Sequence, residues 1–211
     1  MPQCLATFDA RHPDIHVELT EMDYARQSAA LKKGEIDVGF MPAHIAIDLP
    51  PRFRQETVLR TPICAVLGRG HRLAKLRSVS LEDLAAERLL FLGKSKSSIG
   101  IDYARTLFSA RGLSPREIVE VKGFLTLMAM VAAGAGVSVR TFESAMSSAP
   151  GVVLRPLAEA GPDLELDFRA VYRDSDQVAR IARRFIAVLR EVVAAKPGAV
   201  SSRIRSPKSR Q

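Results

Sequence analysis

No run of about eighteen consecutive apolar residues occurs in the 211-residue chain, so the sequence offers no candidate for a membrane-spanning helix. The opening residues Met1–Arg11 lack the basic-then-apolar order of a secretory leader, and the expected compartment is the cytoplasm. Cysteine is scarce. Cys4 and Cys64 stand alone in apolar surroundings, without CxxC or metal-type spacing, and read as reduced thiols. Histidine is equally thin. His12 and His16 are four apart but flank Pro13 on different elements, and neither His44 nor His71 completes a metal set. There is no internal repeat and no heptad array.

Catalytic signatures are missing too. Gly93-Lys-Ser resembles the end of a P-loop, but the position five residues earlier is Arg88 where glycine is needed. Gly134-Ala-Gly136 follows a helix and precedes a strand, the reverse of a dinucleotide fingerprint. No GxSxG elbow is present. Glu35 and Asp37 fall on one face of a strand but read as turn and strand-edge residues rather than an acid–base pair. No enzyme activity, metal or cofactor is expected.

What is present is the composition of a soluble globular protein, with 47% hydrophobic and 26% charged residues. The net charge of +8 is uneven. Five cations and no acid lie within Lys196–Gln211, and without them the balance is an ordinary +3. This Pro, Ser and Arg-rich tail, 196–211, is expected to be disordered.

The chain alternates short apolar runs with helical patterns. Residues 3–11 read as a helix ending before Pro13, with Leu5 and Phe8 on one side. Ile15, Val17 and Leu19 alternate with polar residues as in a strand. Asp23 caps a helix that runs to Lys33 and ends at Gly34. Residues 35–41 form a strand, 42–52 a loop, and 53–60 and 62–67 two extended segments. A turn at 68–75 leads to Ser80 and Asp83, spaced as a capping box for a helix at 81–86. A strand at 88–92, the polar loop 93–100, a helix over 101–111 and a strand at 117–121 follow. Strands at 152–154 and 164–172 precede a last helix, in which Val178, Ile181, Ala182, Phe185, Leu189 and Val192 form one stripe. Asp174 and Gln177 supply its start signal. Strands alternating with helices argue for parallel βαβ units.

Glu120–Val139 is the organising stretch: strand end, helix, glycine turn, strand. Leu125, Met128, Val131 and Ala132 recur at helical spacing as its packing face. Gly134 and Gly136 stop the helix where positive φ is needed. Lys122, Gly123 and Thr126 mark the opposite end, where free backbone N–H groups favour an anion. The loop Lys94–Ser98 also precedes a helix, so Ser95, Ser97 and Ser98 can bring hydroxyls to a small anion.

In order along the chain, Phe8-(x)3-His-Pro-Asp-Ile-His-Val17, Ala30–Phe40, Val66–Ala74, Ser80–Leu84 and Met130–Val139 resemble the effector domain of LysR-type transcriptional regulators. The resemblance covers residues 5 to about 190. It implies an α/β fold of two Rossmann-like lobes, similar to type 2 periplasmic binding proteins, with the ligand between the lobes. Lobe one would take residues 1–62 and 170–195, and lobe two 63–169. The winged helix-turn-helix, linker helix and first strand that precede this segment in the family have no counterpart here. DNA is therefore expected as a partner only through a helix-turn-helix outside this chain. The resemblance also implies side-by-side homodimers. It places the loop serines and Thr126 at that cleft, where the expected ligand is a small organic anion, a carboxylate. As ends of strands, Phe40 and Met41 are expected on the opposite wall and Arg140 as a carboxylate partner. Two other readings compete. A transporter's solute-binding protein shares the fold but normally carries a leader, and an enzyme on a related fold needs a catalytic constellation.

Overall fold

A computed structural model describes residues 2–43, 48–93, 99–141 and 150–195. The expectations for the loop serines and for the tail 196–211 fall outside these residues. The chain divides into two compact units, one from residues up to Arg60 and from Asp167 onward, the other from Thr61–Leu166.

Unit one opens with helix α1 (Pro2–Arg11), whose Cys4 and Phe8 are fully buried. Helix α2 (Tyr24–Lys33) begins and ends as its sequence dictates. The Asp23 side chain accepts the Arg26 N–H, and Gly34 takes the left-handed conformation at φ 75°. Strand β1 (Val38–Pro42) lies antiparallel to β7 (Glu165–Arg173), with Phe40 opposite Ala170. On its other side β7 meets the first half of β2 (Phe53–Gly68). Ala179, Ala182 and Ile186 of the last helix, α6 (Asp176–Ala194), pack with Val58, Ala170 and Tyr172. Phe185, Val188 and Val192 of α6 close over Cys4 and Phe8.

In unit two, β2 continues without a break and is flanked by β5 (Ser138–Thr141) and β6 (Val152–Pro156), both antiparallel to it. The two extended segments expected around Pro62 are thus one sixteen-residue strand. Pro62 is tolerated because pairing with β5 starts only at Ile63. Short helix α3 (Leu81–Ala85) carries the full capping box of Ser80 and Asp83. Strands β3 (Arg88–Leu92) and β4 (Glu117–Val121) are parallel, joined by helix α4 (Ile99–Ser109). Helix α5 (Phe124–Ala132) then leads from β4 to β5. Val137, just ahead of β5, bridges Leu89 in parallel, so β5 runs beside β3 in the same direction. Val79 and Leu157 of unit two also bridge in parallel, whereas the ladders of β1 with β7 and of β2 with β5 and β6 are antiparallel.

Four local expectations need correction. Residues 15–19 form no strand, because no described strand pairs with them. Ile15 and Val17 still pack on the Phe8 cluster, while Leu19 is 55% exposed. On α5 the buried face is Leu127, Met128 and Val131, and Leu125 points out with 81% exposure. Gly134 has the positive φ of 78°, but Gly136 is needed for space: a Cβ there would lie 2.7 Å from the Arg88 carbonyl. Helix α6 is capped by Ser175 without a side-chain bond, since Asp174 instead accepts from Arg54 Nε at 2.6 Å.

Candidate functional site

The carboxyl ends of β4, β3 and β5 meet at one edge of unit two. Leu92 is level with Val121, and the Gly93 N–H bonds the Val121 carbonyl at 3.2 Å. On the other flank, Leu90 N–H donates to the Val137 carbonyl at 2.7 Å, and the Ser138 hydroxyl donates to the Leu90 carbonyl at the same distance. These bonds fix β5 against β3, so Arg140 and Thr141 end at the edge where Gly93 and Lys122 leave their strands. Ligands of α/β proteins bind at such carboxyl edges.

Helix α5 starts at this edge. Gly123 is its N-cap at φ 99°, a conformation that disfavours any side chain, and it supplies no side-chain cap. The helical ladder begins with Leu127 N–H to the Gly123 carbonyl at 3.1 Å. The N–H groups of Phe124, Leu125 and Thr126 lie ahead of it, with the positive end of the helix dipole behind them. Thr126 is exposed in this first turn. Its Oγ1 is 3.8 Å from where a Gly123 Cβ would stand, so the hydroxyl and the donors share one small surface.

Arg140 joins them through Phe124. The Phe124 ring is half-buried against the core cluster of Cys64, Val66 and Leu127, and the Arg140 guanidinium carbon sits 5.6 Å from its centroid. That cation–π contact holds the guanidinium near the start of α5. Thr141, next to it, is 8% exposed and faces Ile63 across the ladder. Glu120 stands on β4 opposite Phe91, its side chain folded over Gly93. Phe124 and Thr141 are not among the residues expected at the site, Gly93 enters the sequence reading only through a failed P-loop match, and Glu120 only as the end of a strand. Gly93, a glycine directly after an apolar strand, was the one signal that could have drawn attention there.

Of the expected site residues, the structure brings Thr126 and Arg140 to this edge. Ser95, Ser97 and Ser98 lie outside the described residues. Phe40 and Met41 belong to unit one. Phe40 is half-buried, 6.2 Å from the Phe185 ring, and its N–H donates to Gln27 Oε1 at 3.0 Å. Met41 is fully buried with Leu31, Phe53 and Val171, which makes it a packing residue of that core.

The shifted titrations lie elsewhere and are structural. Burial pushes the Tyr103 hydroxyl up to about 12, with Asp163 adding to it. The Arg111 guanidinium, 2.6 Å from Asp163, holds that carboxyl below the usual carboxylate range. Arg60 does the same for Asp167. Among the described residues no cluster of His, Cys, Asp and Glu could hold a metal ion. No described helix is long and apolar enough to cross a membrane.

Comparison with known proteins places this geometry. The family model for the LysR substrate binding domain matches residues 1–194. The regulator BenM of Acinetobacter baylyi is 29% identical over 140 residues, which is 65% of this chain and 45% of BenM. XapR of Escherichia coli, also a transcriptional regulator, is 27% identical over 189 residues, 90% of this chain and 62% of XapR. The aligned stretch is thus less than half the length of BenM. Among solved structures, the BenM effector binding domain with its effector benzoate superposes with a TM-score of 0.78 at 25% identity, covering 92% of this chain and 86% of that one. A BenM effector-domain variant gives 0.77 at 25% identity, covering 92% and 88%. The family model, the relatives and the fold agree: the chain belongs to the LysR substrate-binding-domain family, with the type 2 periplasmic-binding-protein-like fold.

Proposed function

We propose that the chain is the effector-sensing part of a cytoplasmic LysR-type transcriptional regulator and takes a small organic carboxylate at the start of α5. The observation that carries this reading is the glycine-capped first turn of α5, with the Thr126 hydroxyl exposed in it and Arg140 held over Phe124 beside it. Ser95, Ser97 and Ser98 are proposed to complete the anion's partners. Benzoate, the effector in the BenM complex, is a sensible first probe. The reading assigns no reaction to the chain.

Energies of this size suit a metabolite sensor. The helix end favours an anion by about 0.3–1 kcal/mol at an exposed site. Each hydrogen bond adds about 0.5–1.5 kcal/mol, more to a charged acceptor. A few such contacts reach roughly micromolar affinity. Thr126→Val keeps the shape and removes the hydroxyl, so carboxylate binding should weaken about tenfold. Calorimetry with benzoate and a panel of aliphatic and aromatic acids tests it. A carboxylate that binds equally well to wild type, Thr126→Val and Ser97→Ala has its site elsewhere.

In the whole regulator, DNA contact would fall to a helix-turn-helix beyond these residues, and pairing with a second copy would set the spacing of the DNA-reading parts. By itself this chain should show only salt-sensitive phosphate contact. Sequence-selective gel shifts persisting above about 150 mM salt would contradict that.

A further inference from the structure

We propose that the outer edge of β1 takes one more strand, an extended segment of a second polypeptide that runs parallel to it with β-branched side chains at alternate positions. The place lies within unit one, between β1 and residues 15–19. The backbone groups of Val38 and Phe40 face it. The Ala43 N–H, in phase with Gly39 and Met41, donates to the Asp167 carbonyl of β7, whereas the Phe40 N–H points the other way and meets Gln27 Oε1 at 3.0 Å. Residues 15–19, α2 and β1 follow one another as the parts of a crossover, so the first and last run in the same direction. Ile15, Val17 and Phe40 pack on one cluster with Phe8 and Phe185, which puts the apolar side chains of both segments on the same face. No described ladder joins the two.

Gln27 measures the gap. Its Nε2 donates to the Met22 carbonyl at 3.2 Å while its Oε1 accepts from Phe40, so one amide joins the end of the unpaired segment to β1. An amide flanked by two hydrogen bonds is how a middle strand links its neighbours, which then stand about 9–10 Å apart. The gap is therefore one strand wide. On the flank of α2 an open cavity of about 270 Å3 extends from Met22 past Arg26, Ala29, Ala30 and Lys33 to Glu35. The ten residues of that helix are roughly 15 Å long, the length of four or five residues of strand. An incoming segment would set alternate side chains against Phe8 and Phe40 and the others beneath α2 near Ala30. Its peptide unit replaces the Gln27 carboxamide, so the Phe40 N–H keeps an acceptor. Backbone pairing supplies the affinity of such a site, and the alternate side chains its selectivity.

Calorimetry and hydrogen exchange on the full 211-residue chain test this with acetyl-Lys-Val-Ala-Val-Ala-Val-Lys-amide and a control whose central Val is Pro. The first peptide should bind and slow exchange of the outward-pointing Val38 N–H. The control cannot donate from its middle residue and should bind at least about tenfold more weakly. Gln27→Ala, which takes away the resident amide, should tighten the first peptide about tenfold, the scale of one regained hydrogen bond. The peptide pair on the wild-type chain decides the matter even where that variant self-associates. Equal binding of the two peptides, or binding that leaves Val38 exchange unchanged, would overturn the proposal. So would failure of the first peptide to bind at about 1 mM. Slower Val38 exchange on raising the protein concentration would then give the edge to a second copy of the chain.

Discussion

Residues 15–19 of unit one and 117–121 of unit two are similar material: five residues, three of them β-branched or otherwise apolar in the first and three in the second. The second becomes β4 and the first becomes no strand. The difference lies in their neighbours. Arg88–Leu92 presents an edge along which every residue from Glu117 to Val121 finds a partner. No described strand does the same for Ile15–Leu19, which keeps only its side-chain packing on Phe8 and Phe185. Apolar alternation sets which side chains go inward, and a strand needs a second backbone as well. Unit one shows the consequence along β1, whose outer edge is met by a side chain: Gln27 accepts the Phe40 N–H and donates to the Met22 carbonyl at 3.2 Å.

The largest test of this contrast is in the cores. Leu127→Ala on α5, at a fully buried site, should cost about 2–5 kcal/mol in urea unfolding. Leu19→Ala, in the segment without a ladder, should stay within about 0.5 kcal/mol. Equal losses would mean that residues 15–19 hold the fold as a strand does. Next comes Gln27→Ala, which leaves the Phe40 N–H without its acceptor at a cost of about 1–3 kcal/mol. Sedimentation velocity should also show added concentration-dependent association, because an uncovered strand edge invites pairing. A variant that sediments and unfolds like wild type would show that Gln27 guards nothing. The smallest effect is electrostatic and should be shared by both units. Asp163 and Asp167 titrate below the ordinary carboxylate value when folded, so their stabilisation is present above about pH 4 and is lost as pH falls through the lowered values. Both arginine pairs are partly exposed, so each contributes only about 0–1 kcal/mol. Asp163→Asn and Asp167→Asn should each flatten the acid limb of a melting-temperature profile between pH 5 and roughly 2. A limb as steep as the wild type's in both variants would place acid sensitivity elsewhere.

Features set within a few residues were legible from the sequence. The Asp23 cap, the Gly34 stop and the Ser80–Asp83 box each depend on groups no more than four residues apart. The strands at 88–92 and 117–121 were legible because each is a compact apolar run bounded by turn residues. Of the site, Thr126 could be read from its place in a helical pattern and Arg140 from the end of a strand. Phe124 beneath Arg140 and Glu120 over Gly93 could not be. Both follow from the lateral order of β4, β3 and β5, which pairs residues up to forty-nine positions apart, as Val137 and Arg88 are. Met41 illustrates the same gap. A strand's end reads as a place for ligand contact, but Leu31 of α2 and Phe53 of β2 bury it from directions that strand periodicity does not report.

The Gln27 contact can also be seen as surface chemistry. A cleaved crystal leaves unsaturated valences, and a monolayer that caps them makes the face inert without changing the lattice beneath. Here the capping group is a carboxamide, the same functional group as the peptide unit it replaces. Gly39 makes room for it, since even a Cβ at that position would stand 3.0 Å from its oxygen. Pro42, with no N–H, leaves one fewer valence to cap. Because cap and peptide are chemically alike, exchanging Gln27 for an incoming backbone conserves the hydrogen bonds at Phe40. The exchange is then decided by how much of the half-buried Val38 and Phe40 side chains the newcomer can cover.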